Sequence, residues 1–124
     1  PWRIGIEKPV ADGRAIQLVV RLQDTSVSTS GDYRNYYEEN GVRLSHHIDP
    51  RTGHPIVHTL ASVSVIHPQC ALADAYATAF SVLGPEAGYS LAVKRNLPVL
   101  FIVHTGPDTF ETKTTPAVEG YIEK

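Results

Sequence analysis

Three short runs of this 124-residue chain hold side chains that could do chemistry. The first is Ser28-Thr29-Ser30-Gly31-Asp32-Tyr33-Arg34. Hydroxyls, a glycine and an arginine in one stretch can hold an anion through backbone N–H groups and a guanidinium fork. The same composition also makes an ordinary turn between strands, which is the simpler reading of the residues alone. The second run is Ser45-His46-His47-Ile48-Asp49-Pro50-Arg51-Thr52-Gly53. A histidine three positions before an aspartate can bring an imidazole near a carboxylate, and imidazole titrates close enough to neutrality to take a proton from a hydroxyl. Pro50 keeps the preceding residue extended, and Thr52-Gly53 supplies a tight turn, so fixed backbone could approach a ligand closely. A solvated surface loop fits these residues equally well. The third run is Ala73-Asp74-Ala75-Tyr76-Ala77-Thr78-Ala79. On a helix, positions four apart share a face, so Asp74 and Thr78 would present a carboxylate beside a hydroxyl. Hard oxygen ligands of this kind suit Mg²⁺, which keeps several waters and shares its shell with substrate phosphates. The plain alternative is that Asp74 stabilises the helix start and Thr78 packs.

Other candidates are weaker. Six histidines raise the idea of zinc, and His54 and His58 are four apart. Pro55 argues against a helix between them, and His46 and His47 would point to opposite faces of an extended chain. Cys70 is the lone cysteine, so no disulfide can form within the chain, and no electropositive partner near it in sequence marks it as a reactive thiol.

The elements that must position these runs are readable in outline. Residues 2–7 alternate apolar and polar as a half-buried strand does, 8–14 form a turn with Pro, Asp and Gly, and 16–22 form a second strand. A short β-prone stretch, 27–30, ends at Gly31. Strands over 33–38 and 42–46 flank Glu39-Asn40-Gly41, and Asn-Gly between such runs signals a hairpin. Residues 47–59 lack periodicity and read as an ordered loop. Residues 60–66 form a clear strand, with Val63 and Val65 on one face, ended by Pro68. The spacing predicts a helix over 71–83 with Gly84 just past its end, and a second over 85–94 with Pro85 in its first turn. An apolar strand over 98–104, a turn at 106–108, a strand over 109–113 and a short helical turn from Pro116 complete the chain. The plan is α+β: a mainly antiparallel sheet with helices packed on one face. Length suits one compact domain. A hydrophobic fraction of 42%, a charged fraction of 19% and a net charge of −2 are those of an ordinary globular protein. They give no sequence-wide reason to expect nucleic acid or an acidic membrane surface as partner, and no apolar run is long enough to insert in a bilayer.

Taken in order, the three runs resemble the C-terminal half of the ApbE family, and Trp2-Arg3-Ile4-Gly5-Ile6-Glu7-Lys8-Pro9 resembles the strand that precedes them there. The resemblance covers essentially the whole chain, and its most specific element is His-x-Ile-Asp-Pro-x-Thr-Gly at 46–53. It implies a T-fold-like α/β architecture and an FAD:protein FMN transferase. Such enzymes use Mg²⁺ and FAD, attach FMN through a phosphoester to a Thr or Ser hydroxyl of an acceptor flavoprotein, and release AMP. It equally leaves room for a FAD pyrophosphatase yielding FMN and AMP, or for a non-catalytic flavin-binding or assembly module.

Residue by residue, the resemblance implies Asp74 and Thr78 as side-chain metal ligands and Ala77 as a backbone-carbonyl ligand. It implies His46 as general base, Ile48 as a main-chain FAD contact, Asp49 as a brace of that loop, and Ser30 and Arg34 as lining residues. It further implies an upstream segment carrying much of the flavin pocket, so residues 1–124 read as a C-terminal part that binds FAD weakly alone. The expected compartment is the bacterial periplasm, with the full-length protein an inner-membrane lipoprotein.

Overall fold

Residues 60–67, Leu-Ala-Ser-Val-Ser-Val-Ile-His, are buried on both faces as far as Ile66, and the sheet is built outward from them. The computed structural model describes residues 1–10, 13–31, 36–39, 42–56, 59–106 and 109–124, with backbone only at 36–39 and 42–45. In chain order the elements are β1 (Trp2–Glu7), β2 (Ile16–Leu22), β3 (Ser26–Gly31), β4 (Tyr36–Glu39), β5 (Val42–Ser45), β6 (Ile48–Asp49), β7 (His54–Pro55), β8 (Leu60–His67), α1 (Cys70–Lys94), β9 (Val99–His104), β10 (Phe110–Thr114) and a 3₁₀ segment, Pro116–Tyr121. An antiparallel sheet runs in the order β10-β9-β8-β3. Hairpins β1–β2, β4–β5 and β6–β7 form separate ladders.

Side chains alternate across β8 and β9, and each face has its own cover. Val63, Val65, Val99 and Phe101 pack with Leu60 against Ala73, Ala77, Phe80 and Ala92 of α1. The buried positions 73, 77, 80, 81, 84, 88 and 92 recur every three or four residues, and most are small, so the helix lies close to the sheet. Opposite them, Ile66, Leu100 and Ile102 pack against Ile6, Val20 and Leu22 of the first hairpin and Val118 of the 3₁₀ segment. Full burial of each large aliphatic or aromatic side chain stabilises by roughly 1.5–3 kcal/mol.

The expected α+β plan is what the chain adopts, with helix on one sheet face. The first hairpin does not extend that sheet; it forms a layer on the other face. β4 and β5 pair antiparallel with Glu39 opposite Val42, as the expected hairpin requires; Asn40 and Gly41 lie outside the described residues. Of the strands expected over 33–38 and 42–46, residues 33–35 lie outside the described residues; Glu39 is in the strand, and His46 leaves it at a bend. The stretch 47–59 is not without regular structure, because Ile48 pairs with Pro55 and Asp49 with His54. A two-residue ladder is too short for hydrophobic periodicity to register.

The expected pair of helices is α1, broken at Gly84, whose φ of 91° and ψ of 178° lie in a region open essentially to glycine alone. Pro85 then starts the second segment without a missing hydrogen bond. Gly84→Ala is expected to cost about 1–3 kcal/mol, read as a lower denaturant midpoint at unchanged slope. No described helix is long and apolar enough to cross a membrane.

Candidate functional site

β3 is an edge strand of the four-stranded sheet, and its side chains divide between two surfaces. Thr29 Oγ1 meets Ser64 Oγ at 2.7 Å on the side of the first hairpin. Ser28 and Ser30 point the other way. The Ser28 hydroxyl donates to Asp74 Oδ1 at 2.9 Å, and Ser30 Oγ lies 3.4 Å from His47 Nε2. Two serines two positions apart on a strand are separated by about 6.6 Å. β3 therefore ties the carboxylate of α1 and the histidine loop to neighbouring points on one surface.

Asp74 and Thr78 are both exposed on α1, one turn apart as expected. The helix begins at Cys70 with no acid in its first turn, so Asp74 sits too far along to serve as the helix-start charge considered above. Its described side-chain partner is Ser28. Ala77 turns its methyl wholly into the core. In continuous helix its carbonyl accepts the N–H four residues on, which leaves one lone pair for another partner.

This donor set fits a hard divalent cation in chemistry, being all oxygen: a carboxylate and a hydroxyl on an exposed face, and the carbonyl of the fully buried Ala77. It is not a closed cage. Among the described residues no group of three or more His, Cys, Asp or Glu could hold a metal ion by itself. A cation here would rely on water and phosphate oxygens for the rest of its shell, as Mg²⁺ does.

The loop is held by Asp49. Its Oδ1 accepts the Arg51 backbone N–H at 2.9 Å and Arg51 Nε at 3.0 Å, and its Oδ2 accepts Nη2 at 2.9 Å. Its carbonyl accepts the N–H groups of Thr52 at 3.2 Å and Gly53 at 2.8 Å. Asp followed by Pro is the favoured opening of a type I turn, and Gly53, at φ 72°, closes it. The Arg51 hydrogen bonds hold the Asp49 carboxyl below the usual carboxylate range and raise Arg51. Asp49 is thus a standing anion. Its bracing is complete above the ordinary carboxylate pKa and is lost as pH falls through the depressed value. Ile48 leads into this turn with a side chain 51% exposed, unusual for isoleucine.

His46 is exposed and His47 half-buried. Their ring centroids stand 3.9 Å apart at 44°. They do not point to opposite faces, because the bend at His46 breaks the extended geometry on which that expectation rested. Burial, and then the neighbouring His46, lowers the His47 pKa. The structure thus brings Ser30, the histidines, Asp74 and Thr78 to one side of β3 and shows Asp49 as a brace. Arg34 lies outside the described residues. Sequence reasoning passed over Ser28, His47 and Arg51 as partners. The signal for Ser28 was its period-two spacing from Ser30, which puts both on one face of the β-prone stretch 27–30.

The profile of the ApbE family matches residues 1–101. The chain belongs to the ApbE family. Its relatives in that family include a Vibrio cholerae protein named FAD:protein FMN transferase, 44% identical over 124 residues, which are all of this chain and 37% of the relative. The Escherichia coli K12 protein of the same name is 46% identical over 122 residues, 98% of this chain and 34% of the relative. Among solved structures, the apo form of Pseudomonas stutzeri flavinyl transferase ApbE superposes with a TM-score of 0.81 at 44% identity, covering 98% of this chain and 37% of that one. An ApbE protein from Thermotoga maritima gives 0.83 at 27% identity, covering 100% and 39%. The chain spans about a third of the length of these curated ApbE relatives.

Proposed function

We propose that this chain supplies one wall of the active site of a Mg²⁺-dependent FAD:protein FMN transferase. The observation that carries the reading is the pairing of Ser28 with Asp74 and of Ser30 with His47 on one side of one strand. It sets the candidate cation face and the histidine loop at neighbouring points of one surface, because serines two apart on a strand stand about 6.6 Å from each other. The names of the relatives supply the reaction class.

In this reading Asp74, Thr78 and the Ala77 carbonyl hold Mg²⁺. Mg²⁺, when bound, neutralises charge developing on the pyrophosphate oxygens. His46 takes the proton from a Thr or Ser hydroxyl of the acceptor protein. That oxygen bonds to the FMN-side phosphorus as the bond to the bridging oxygen breaks, and AMP leaves with the electron pair. The Asp49–Arg51 brace fixes the Ile48 backbone against FAD, and Ser30 and Arg34 line the site. The remainder of the flavin pocket belongs to chain beyond these residues, so residues 1–124 alone are expected to bind FAD weakly. The acting protein works in the bacterial periplasm as a lipoprotein.

The test is FAD plus Mg²⁺ added to the full-length protein with a candidate acceptor, read as an FMN mass increment on the acceptor and as AMP. Free FMN with no labelled protein would replace the reading by a FAD pyrophosphatase. Stoichiometric FAD uptake without AMP would replace it by a flavin-binding module. A finer check concerns Ser28, which orients Asp74. Ser28→Ala is expected to raise the half-saturating Mg²⁺ concentration for transfer roughly 10- to 100-fold, with the rate at saturating Mg²⁺ little changed.

A further inference from the structure

β8 ends at His67, and only Pro68 separates it from Gln69, the N-cap residue of α1. By itself that cap is a poor one. Gln69 makes no side-chain hydrogen bond to the helix start, and no acidic residue stands in the first turn. Pro68 has no N–H, so Gln69 carries the first donor after the strand. His67 Nδ1 accepts that N–H at 3.0 Å. An asparagine or aspartate side chain makes the same bond two residues on in an Asx turn, and here a histidine ring supplies the acceptor. The Gln69 carbonyl in turn accepts the N–H groups of Leu72 at 3.1 Å and Ala73 at 3.0 Å, the opening bonds of α1. Asp74 is the next residue. His67 is itself fixed to the sheet: it pairs with Ser26 of β3, whose hydroxyl donates to the His67 carbonyl. Ser26 stands two positions before Ser28, which holds the Asp74 carboxylate.

We infer that His67 is a positioning residue for the cation face: its neutral imidazole, accepting at Nδ1, sets the backbone from which α1 starts and so the place at which Asp74 is presented. The inference rests on the metal role given to Asp74 under Proposed function. An imidazole accepts at Nδ1 only when that nitrogen carries no proton, so the ring proton stands on Nε2. The other described neighbour of the ring is Tyr76 of α1, with ring centroids 6.4 Å apart at 40°. Packing beside Tyr76 needs a ring, and the bond to Gln69 needs an acceptor. The two can therefore be removed separately.

The experiment compares His67→Phe and His67→Asn with the wild type in the full-length protein, by amide exchange, by Mg²⁺ titration of FMN transfer and by ¹⁵N shifts of the ring. Phenylalanine keeps a ring beside Tyr76 but offers no acceptor. Asparagine loses the ring but carries Oδ1 as many bonds from the backbone as Nδ1. In His67→Phe the Leu72 and Ala73 amides are expected to exchange about fivefold faster, as loss of one helix-start hydrogen bond allows. The Mg²⁺ concentration for half-maximal transfer is expected to rise about two- to fivefold, because the cation binds only molecules whose helix start is formed, with kcat at saturating Mg²⁺ and KM for FAD within about twofold. His67→Asn should match the wild type in exchange and in Mg²⁺ demand, and the wild-type ring should show a proton on Nε2 alone. Leu72 and Ala73 amides as slow in His67→Phe as in the wild type overturn the inference. So does a His67→Asn protein as impaired as His67→Phe, which makes the ring and not the acceptor the cause, or a neutral wild-type ring protonated at Nδ1. Faster exchange in His67→Phe with unchanged Mg²⁺ demand confines His67 to the fold and overturns its positioning role. A wild-type protein that transfers no FMN sinks the transferase reading and this inference with it. A wild-type protein that transfers, matched by His67→Phe in Mg²⁺ demand, sinks this inference alone.

Discussion

Asp74→Ala in the full-length protein is expected to abolish Mg²⁺-dependent labelling of the acceptor, by roughly 100- to 1,000-fold or more. Metal neutralisation of phosphoryl charge is worth several kcal/mol, and each 1.36 kcal/mol is tenfold in rate. The folded state should not suffer. Asp74 is exposed on a helix, alanine is the best helix former, and the partner left behind, Ser28, is half-buried and can turn to water. Thermal unfolding of the variant should therefore match wild type, which separates loss of metal from loss of fold. Asp74→Asn sharpens the point. Its amide oxygen can still accept the Ser28 hydrogen bond, but the charge is gone, so it should fail nearly as badly as alanine. Labelling of the acceptor by Asp74→Ala within tenfold of wild type would refute the metal role.

His46→Ala is expected to lower transfer about 100- to 10,000-fold, the range over which a positioned general base contributes. FAD and Mg²⁺ affinity should change little, because neither is assigned to this side chain. The ring is exposed, so its removal opens a space that reaches solvent and leaves no sealed cavity. Free imidazole added to the variant is therefore expected to restore part of the rate in proportion to its concentration. A variant that transfers FMN at the wild-type rate would rule His46 out as base. One that has lost FAD binding along with transfer would reassign it from proton transfer to binding.

Much of this fold is legible residue by residue, and the site only partly so. Alternation exposes the first hairpin, and the run at 60–66 reads as a buried strand because both of its faces are covered. Gly84-Pro85 marks the helix break, since the first tolerates φ of 91° and the second opens a helix. The i, i+4 rule puts Asp74 and Thr78 on one face without any structure. What stays hidden depends on contacts between segments far apart in sequence. Nothing local says that Ser28 reaches Asp74, 46 positions away, or that Ser30 meets His47. The Ser-Thr-Ser run can pass for part of a turn because the partners of its hydroxyls, Asp74, Ser64 and His47, come from other segments. The histidine rings come together because of one bend, and a bend has no periodicity to detect.

The pairing of β3 with β8 has a kinetic consequence. Their nearest partners are Gly31 and Ser62, so every residue of the histidine loop lies inside the excursion that this pairing closes. Closing such a loop costs entropy that rises with the logarithm of its length, and this is spent before the sheet contacts repay it. The β4–β5 hairpin and α1 need no such closure and can form locally. Ser28 and Asp74 stand on opposite sides of that excursion, as do Ser30 and the strand behind it. The surface that joins Ser28 to Asp74 and Ser30 to His47 therefore cannot assemble until this pairing has closed.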